Sequence, residues 1–301
     1  MPRKSCQTYK PVLCLLIDCL STHSLRMAVV VLGDSWAEKA EPVLRRSLEP
    51  MGFTVRGGYA RSGMKACLLA QVAGTLEKVL EWRIDSARFV WLSAGINDIM
   101  IARRAGQPAH EHELPHTFAE CHVMLLSHLF RQNPRLHVVQ FGYDLLCSGV
   151  PLLPACVHCG WGAAAPDSER HAPRADGSCN SSVACFNRMT RRLQASLDTL
   201  HGLDRLVDRA WRAEPSFEPA TEAFREALAA GGSYTVLDLQ GTMQAAGGVP
   251  NAAVGKPNLT ALTPPQYFQS DCLHPNARGM SVLMARLASD YFGKRRPSTV
   301  P

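Results

Sequence analysis

No apolar run in this chain of 301 residues is long enough to cross a bilayer, so a helical membrane span is not expected. No stretch repeats at a fixed period, which excludes solenoid and propeller architectures. Charge is sparse: charged residues make up 19% of the chain and the net charge of +6 comes from scattered basic residues. That balance offers no surface for nucleic acid. The one tight basic cluster, Lys294-Arg295-Arg296, reads as a solvated tail over 294–301. Hydrophobic residues at 46% with so few charges are the composition of an ordered globular chain. The length suits one α/β domain with a full core, and no linker divides it.

Residues 1–26 stand apart. Arg3, Lys4 and Lys10 precede Pro11-Val-Leu-Cys-Leu-Leu-Ile17, the outline of a signal segment. The apolar stretch is short, however, Asp18 interrupts it, and no small-x-small cleavage site follows. A degenerate signal and a plain extension both fit, and the domain is taken to run over 27–293. Cysteine is plentiful, with 11 in the chain, and Cys147, Cys156, Cys159, Cys179 and Cys185 fall in one irregular stretch. Two glycosylation sequons, Asn180-Ser-Ser182 and Asn258-Leu-Thr260, add to a lean toward an oxidising, secretory compartment without fixing it.

The chain is organised around Met27-Ala-Val-Val-Val-Leu-Gly33, a continuous β-branched run followed by Asp34-Ser35. Such a run predicts a strand buried on both faces, at the centre of a parallel sheet. A helix is expected over Ala37–Met51, with Val43, Leu44 and Leu48 on one face and Gly52 closing it. Strands follow at Phe53–Arg56, Ala87–Ala94, Leu136–Gly142 and Tyr234–Leu239. Helices are expected at Met64–Trp82, Leu114–Gln132, Asn187–Leu200, Pro219–Ala230 and Arg278–Phe292. Stretches 143–183 and 241–269 show neither period, and the first is a Cys-rich insertion. Strand and helix alternate throughout, which predicts a three-layer αβα sandwich built on a parallel five-stranded sheet.

Reactive groups of open α/β sheets collect beyond the carboxyl ends of the strands. Four pieces fall there or in the last loop: Gly33-Asp34-Ser35, Gly63, Gly95-Ile-Asn97-Asp98 and Asp271-Cys-Leu-His274. Each supplies something acyl transfer requires. A serine hydroxyl needs a base within hydrogen-bond reach, and histidine titrates near neutrality. A carboxylate on the other imidazole nitrogen fixes its tautomer, and Asp271 precedes His274 by three residues in a Pro-flanked loop. The oxyanion of a tetrahedral intermediate needs preorganised donors, which the N–H groups of Ser35 and Gly63 and the side-chain amide of Asn97 could supply. Asp34 and Asp98 are assigned to hydrogen bonds that hold their loops.

In this combination the chain resembles the SGNH hydrolases, the GDSL-type lipase and esterase superfamily, over about Val29 to Phe292. The resemblance implies a flavodoxin-like sheet and hydrolysis of a small-molecule, glycan or lipid ester through an acyl-serine intermediate. It also implies no metal or organic cofactor. Trp36 replaces the leucine of the family name, and the second block lacks the asparagine that often precedes its glycine, so Gly57 and Gly58 compete with Gly63. No G-x-S-x-G elbow surrounds Ser35, which argues against the ordinary α/β-hydrolase.

Other readings compete with these. Ser35 could be a helix N-cap, Asn97-Asp98 turn residues, and His274 a surface histidine. Cys156-x-x-Cys159 with His158, Cys179 and Cys185 has features of a zinc site, against which stand disulfides and free thiols. Within the same chemistry, O-deacetylation of carbohydrate and acyl transfer compete with simple ester hydrolysis. A binding protein that has kept the fold and lost turnover is the rival from another class.

Overall fold

A computed structural model of the protein describes residues 27–71, 84, 86–98, 116–144, 183–212, 218–259, 261, 263–269 and 274–295. Five parallel strands form one sheet in the order β2-β1-β3-β4-β5. They are β1 (Met27–Gly33), β2 (Phe53–Ala60), β3 (Phe89–Ser93), β4 (His137–Phe141) and β5 (Ser233–Leu237). Val29 to Leu32 and Phe89 to Leu92 are buried, because helices cover both faces. The order is the flavodoxin-like one expected, with one correction. β3 is the middle strand, and β1 lies one place to its side, because the chain crosses from β1 out to β2 and then back over to β3.

The helices are α1 (Ser35–Leu48), α2 (His116–Gln132), α3 (Val183–Thr199), α4 (Leu203–Arg212), α5 (Glu218–Ala229), α6 (Thr242–Ala246) and α7 (Ala277–Leu287). The described residues also include helical pieces at 66–71, after β2, and at 96–98, after β3. The pleat sorts the core into two layers, since alternate side chains point to opposite faces. Phe89, Trp91, Ser93 and Phe141 share one face. There Phe89 packs on Phe292 of the turn after α7, and Phe141 packs on Trp36 of α1. The partners of Tyr234 and Gln140 lie on the other face, where Tyr234 meets His122 of α2 and Phe130 of α2 meets Phe224 of α5. No helix among the described residues is long and apolar enough to cross a membrane.

Several boundaries differ from the sequence expectation for local reasons. α1 begins at Ser35 rather than Ala37, because Asp34 caps it. It ends at Leu48, and a 3-10 turn, Glu49–Met51, leads to Gly52 at φ +90°. β2 runs on to Ala60, four residues past its expected end, through a bulge: Val31 pairs with Gly57 and Leu32 with Tyr59, so Gly58 is the extra residue. A Cβ on Gly58 would sit 2.6 Å from the Val31 carbonyl oxygen, which is why the bulge takes glycine. Helix α4 was not anticipated. The stretch 241–269 is not wholly irregular, since it carries α6 and a 3-10 turn at Pro265–Tyr267. The C-terminal helix changes to a π turn at Ala288–Phe292.

Candidate active site

β1 reaches the site through a contact that only glycine permits. Gly33 has φ +138°, and a Cβ there would lie 1.9 Å from the Ser93 carbonyl oxygen. The chain then turns, with the Asp34 N–H donating to that same carbonyl at 3.0 Å. Asp34 is the N-cap of α1: its Oδ1 accepts the Trp36 N–H at 3.0 Å. The N-cap reading of Ser35 is thereby overturned. Ser35 is the first residue of the helix, its hydroxyl is not used as a cap, and its N–H has no acceptor within the helix. The positive end of the helix dipole falls there.

His274 Nε2 lies 2.7 Å from Ser35 Oγ, although 239 residues separate the two in sequence. The backbone that carries the imidazole is pinned on both sides. Phe268 and Pro275 form an antiparallel bridge, the Gln269 N–H donates to the His274 carbonyl at 2.8 Å, and the Asn276 N–H to that of Tyr267 at 2.9 Å. Asn276 then caps α7 by accepting the N–H groups of Arg278 and Gly279. A pinned backbone next to a capped helix thus presents His274. Asp271, expected to orient the imidazole, lies outside the described residues.

The second and third pieces are tied to each other. Loop 61–64 is held beside the first turn of α1, since Arg61 N–H donates to the Gly33 carbonyl at 3.0 Å and Ser62 N–H to Glu38 Oε2 at 3.1 Å. Gly63 lies in this loop at φ +77°, with open space where a Cβ would be. Gly57 and Gly58 are inside β2, so the loop glycine is Gly63. Asn97 follows β3 by way of Gly95, at φ +123°, where a Cβ would press on the Phe118 ring at 2.8 Å. The Asn97 Nδ2 donates to the Met64 carbonyl at 2.9 Å, which leaves its second amide hydrogen for another acceptor. Asp98 accepts the N–H groups of Ala66 at 2.8 Å and Cys67 at 3.3 Å, capping piece 66–71 from across the site. Burial pushes the Asp98 carboxyl above its usual range, against those two hydrogen bonds.

Of the buried polar groups behind Ser35, Asp34 is expected from the sequence to hold its loop, whereas Ser93 and Tyr143 have no role assigned there. Asp34 is fully buried, and besides Trp36 N–H it accepts the Ser93 hydroxyl at 3.3 Å and, on Oδ2, the Tyr143 hydroxyl. Burial raises its carboxyl to about 6, with the hydrogen bonds opposing. Tyr143 packs edge-on against Trp36, with centroids 5.1 Å apart. The signal for it was parity: Val139, Phe141 and Tyr143 continue one face of β4 past its end. On the opposite face, Tyr234 donates to Gln140 Oε1 at 2.9 Å, so the proton it shares with His122 at 3.0 Å belongs to His122 Nε2. His122 is the second group missed, buried, uncharged and away from Ser35.

A disulfide joins Cys67 to Cys121, linking piece 66–71 to α2. This pair was not anticipated. Cys147, Cys156, Cys159 and Cys179 lie outside the described residues, as does the side chain of Cys185. Among the described residues, no group of His, Cys, Asp or Glu side chains is arranged to hold a metal ion.

Fold and site together define a three-layer αβα protein with a Ser–His pair at the carboxyl edge of a 2-1-3-4-5 parallel sheet. Ser35 and Asn97 follow β1 and β3, the neighbours between which the strand order reverses, where open α/β sheets bind ligands. No family model and no curated protein matches the sequence. Among solved structures the chain is similar to a lipase from a goat rumen metagenome, at 12% identity and a TM-score of 0.44, covering 87% of this chain and 96% of that one. It is also similar to a carbohydrate esterase of family 3 from Talaromyces cellulolyticus (13%, TM-score 0.41, 89% and 97%). A third is an acetyl xylan esterase (12%, TM-score 0.42, 87% and 98%).

Proposed function

We propose that this protein is a serine hydrolase of the SGNH type that cleaves carboxylic esters through an acyl-serine intermediate. The observation that carries the reading is the 2.7 Å contact between Ser35 Oγ and His274 Nε2 at the start of a helix that Asp34 caps. A serine that capped its own helix would have its hydroxyl occupied; here the cap is next door and the hydroxyl faces a base. His274 takes the Ser35 proton as Oγ attacks the ester carbonyl, then returns it to the leaving alcohol. Water repeats the sequence on the acyl-enzyme. Asp271 orients the imidazole from three residues away. The N–H groups of Ser35 and Gly63 and the second amide hydrogen of Asn97 receive the oxyanion.

The test is Ser35→Ala assayed on a short-chain p-nitrophenyl ester, alongside labelling by an active-site fluorophosphonate. Turnover and labelling are both expected to vanish while the circular dichroism spectrum is unchanged. A variant that keeps wild-type turnover overturns the assignment. A panel from acetyl to long acyl esters, with acetylated glycans beside it, then defines the acyl and alcohol groups accepted.

A further inference from the structure

We propose that Tyr143 is a positioning residue for the nucleophile, acting through Asp34: its hydroxyl holds the buried Asp34 carboxylate in the orientation that caps α1 and keeps Ser35 on His274. The inference rests on reading Ser35 as the nucleophile.

The geometry is specific. Three strand ends meet on one carboxylate: Asp34 follows β1, Ser93 ends β3, and Tyr143 lies two residues beyond β4. Asp34 Oδ1 is shared between the Trp36 N–H and the Ser93 hydroxyl, while Oδ2 takes the Tyr143 hydroxyl. The same tyrosine packs edge-on against Trp36, so it fixes both the acceptor and the neighbour of Ser35. A carboxylate with no access to water must have its lone pairs met by protein donors or it turns or protonates. Either change weakens the cap that sets the first turn of α1, and Ser35 sits in that turn.

The direction of proton sharing follows from the surroundings. Burial and the Asp34 charge drive the Tyr143 phenol well above its ordinary value, so it remains a donor. Asp34 itself, raised to about 6, takes a proton within the range in which an esterase would be assayed. The groups acting on it are the Tyr143 phenol, the Ser93 hydroxyl, and the N–H groups of Trp36 and Ala37 in its own helix. Among the described residues no charged side chain contributes. Each donor favours the ionised form, so removing one raises the Asp34 carboxyl further.

The experiment compares the full-length protein with Tyr143→Phe over a pH range on one activated ester. Loss of one hydrogen bond to a charged acceptor is expected to lower kcat about tenfold and leave KM within about twofold. The acidic limb of the kcat profile moves to higher pH. Replacing Tyr143 by 3-fluorotyrosine, a more acidic donor of nearly the same volume, moves that limb the opposite way. It serves in place of Tyr143→Phe if that variant does not fold. A Tyr143 that merely fills space predicts lowered thermal stability with an unmoved profile, and that result overturns the proposal. The Asp34 titration, followed by NMR of carbon-labelled aspartate, is read in the same proteins without substrate. If wild-type protein turns over no ester, the hydrolase reading fails; if Tyr143→Phe leaves the Asp34 titration unmoved, the positioning role fails by itself.

Discussion

The Asp98 carboxylate accepts the backbone N–H of Ala66 at 2.8 Å, although the two residues belong to helical pieces that follow different strands. Through this bond and the one to Cys67, the piece that follows β3 caps the helical piece that begins shortly after Gly63. Asp98→Ala removes both acceptors and leaves two buried or half-buried N–H groups unmatched. A cost of about 1–2 kcal/mol in urea unfolding is expected, with faster amide exchange at Ala66 and Cys67. Asp98→Asn keeps one acceptor oxygen and should restore most of the protection at Ala66. Unchanged exchange in Asp98→Ala would show that the cap does not hold this loop.

Asn97 tests the oxyanion assignment separately. One hydrogen of its amide is committed to the Met64 carbonyl, and the other, on the proposed mechanism, meets the developing oxyanion. Asn97→Ala is expected to lower kcat by about 10²–10³-fold with little change in KM, the usual effect of losing one such donor. A boronic acid that mimics the tetrahedral intermediate should lose affinity in step with kcat. If KM rises and kcat does not fall, Asn97 supports the loop only.

How much was legible in the sequence depended on the range of the interaction. β1 was plain because a β-branched run buried on both faces reads as a central strand, the pieces bearing Ser35 and Asn97 lay where strands end, and His274 lay in the last loop before the final helix. Strand order was less legible: which edge a crossover takes is decided by packing far along the chain, so β1 was expected at the centre that β3 occupies. α4 was missed although Leu203, Leu206, Val207 and Ala210 have helical spacing, since five charged residues and Trp211 fill the remainder of a ten-residue element. The Tyr143–Asp34 bond spans 109 residues, and a lone tyrosine past a strand is ordinarily a packing residue. The Cys67–Cys121 pair could not be picked from 11 cysteines by spacing.

That disulfide joins the piece capped by Asp98 to α2 across 54 residues of chain. On the chain-entropy account, closing a loop of this length removes about 4 kcal/mol of freedom from the unfolded state. Reduction with dithiothreitol, or Cys67→Ser with Cys121→Ser, is expected to lower the urea midpoint by an amount equivalent to about 2–4 kcal/mol. The loss should be accompanied by faster exchange at Ala66, next to the tether. Equal midpoints for oxidised and reduced protein would contradict it.

Two fully buried groups, His122 and Asp34, pull acid stability in opposite directions. Burial lowers His122 from 6.5 to about 4, so the folded state keeps it neutral where the unfolded chain protonates it. Its contribution is therefore complete above 6.5 and is lost as pH falls toward 4. Asp34, raised from 3.8 to about 6, contributes in the other sense: its share is complete below 3.8 and is lost as pH rises through 6. Between about 6 and 4 the two slopes offset, each worth about 1.4 kcal/mol per pH unit. His122→Gln retains a donor to Tyr234 and cannot titrate. Relative to wild type, its unfolding free energy should gain about 1.4 kcal/mol for each unit of acidification across that window. Urea unfolding at a series of pH values measures this, and parallel curves for the two proteins would show that His122 titrates alike in the folded and unfolded states.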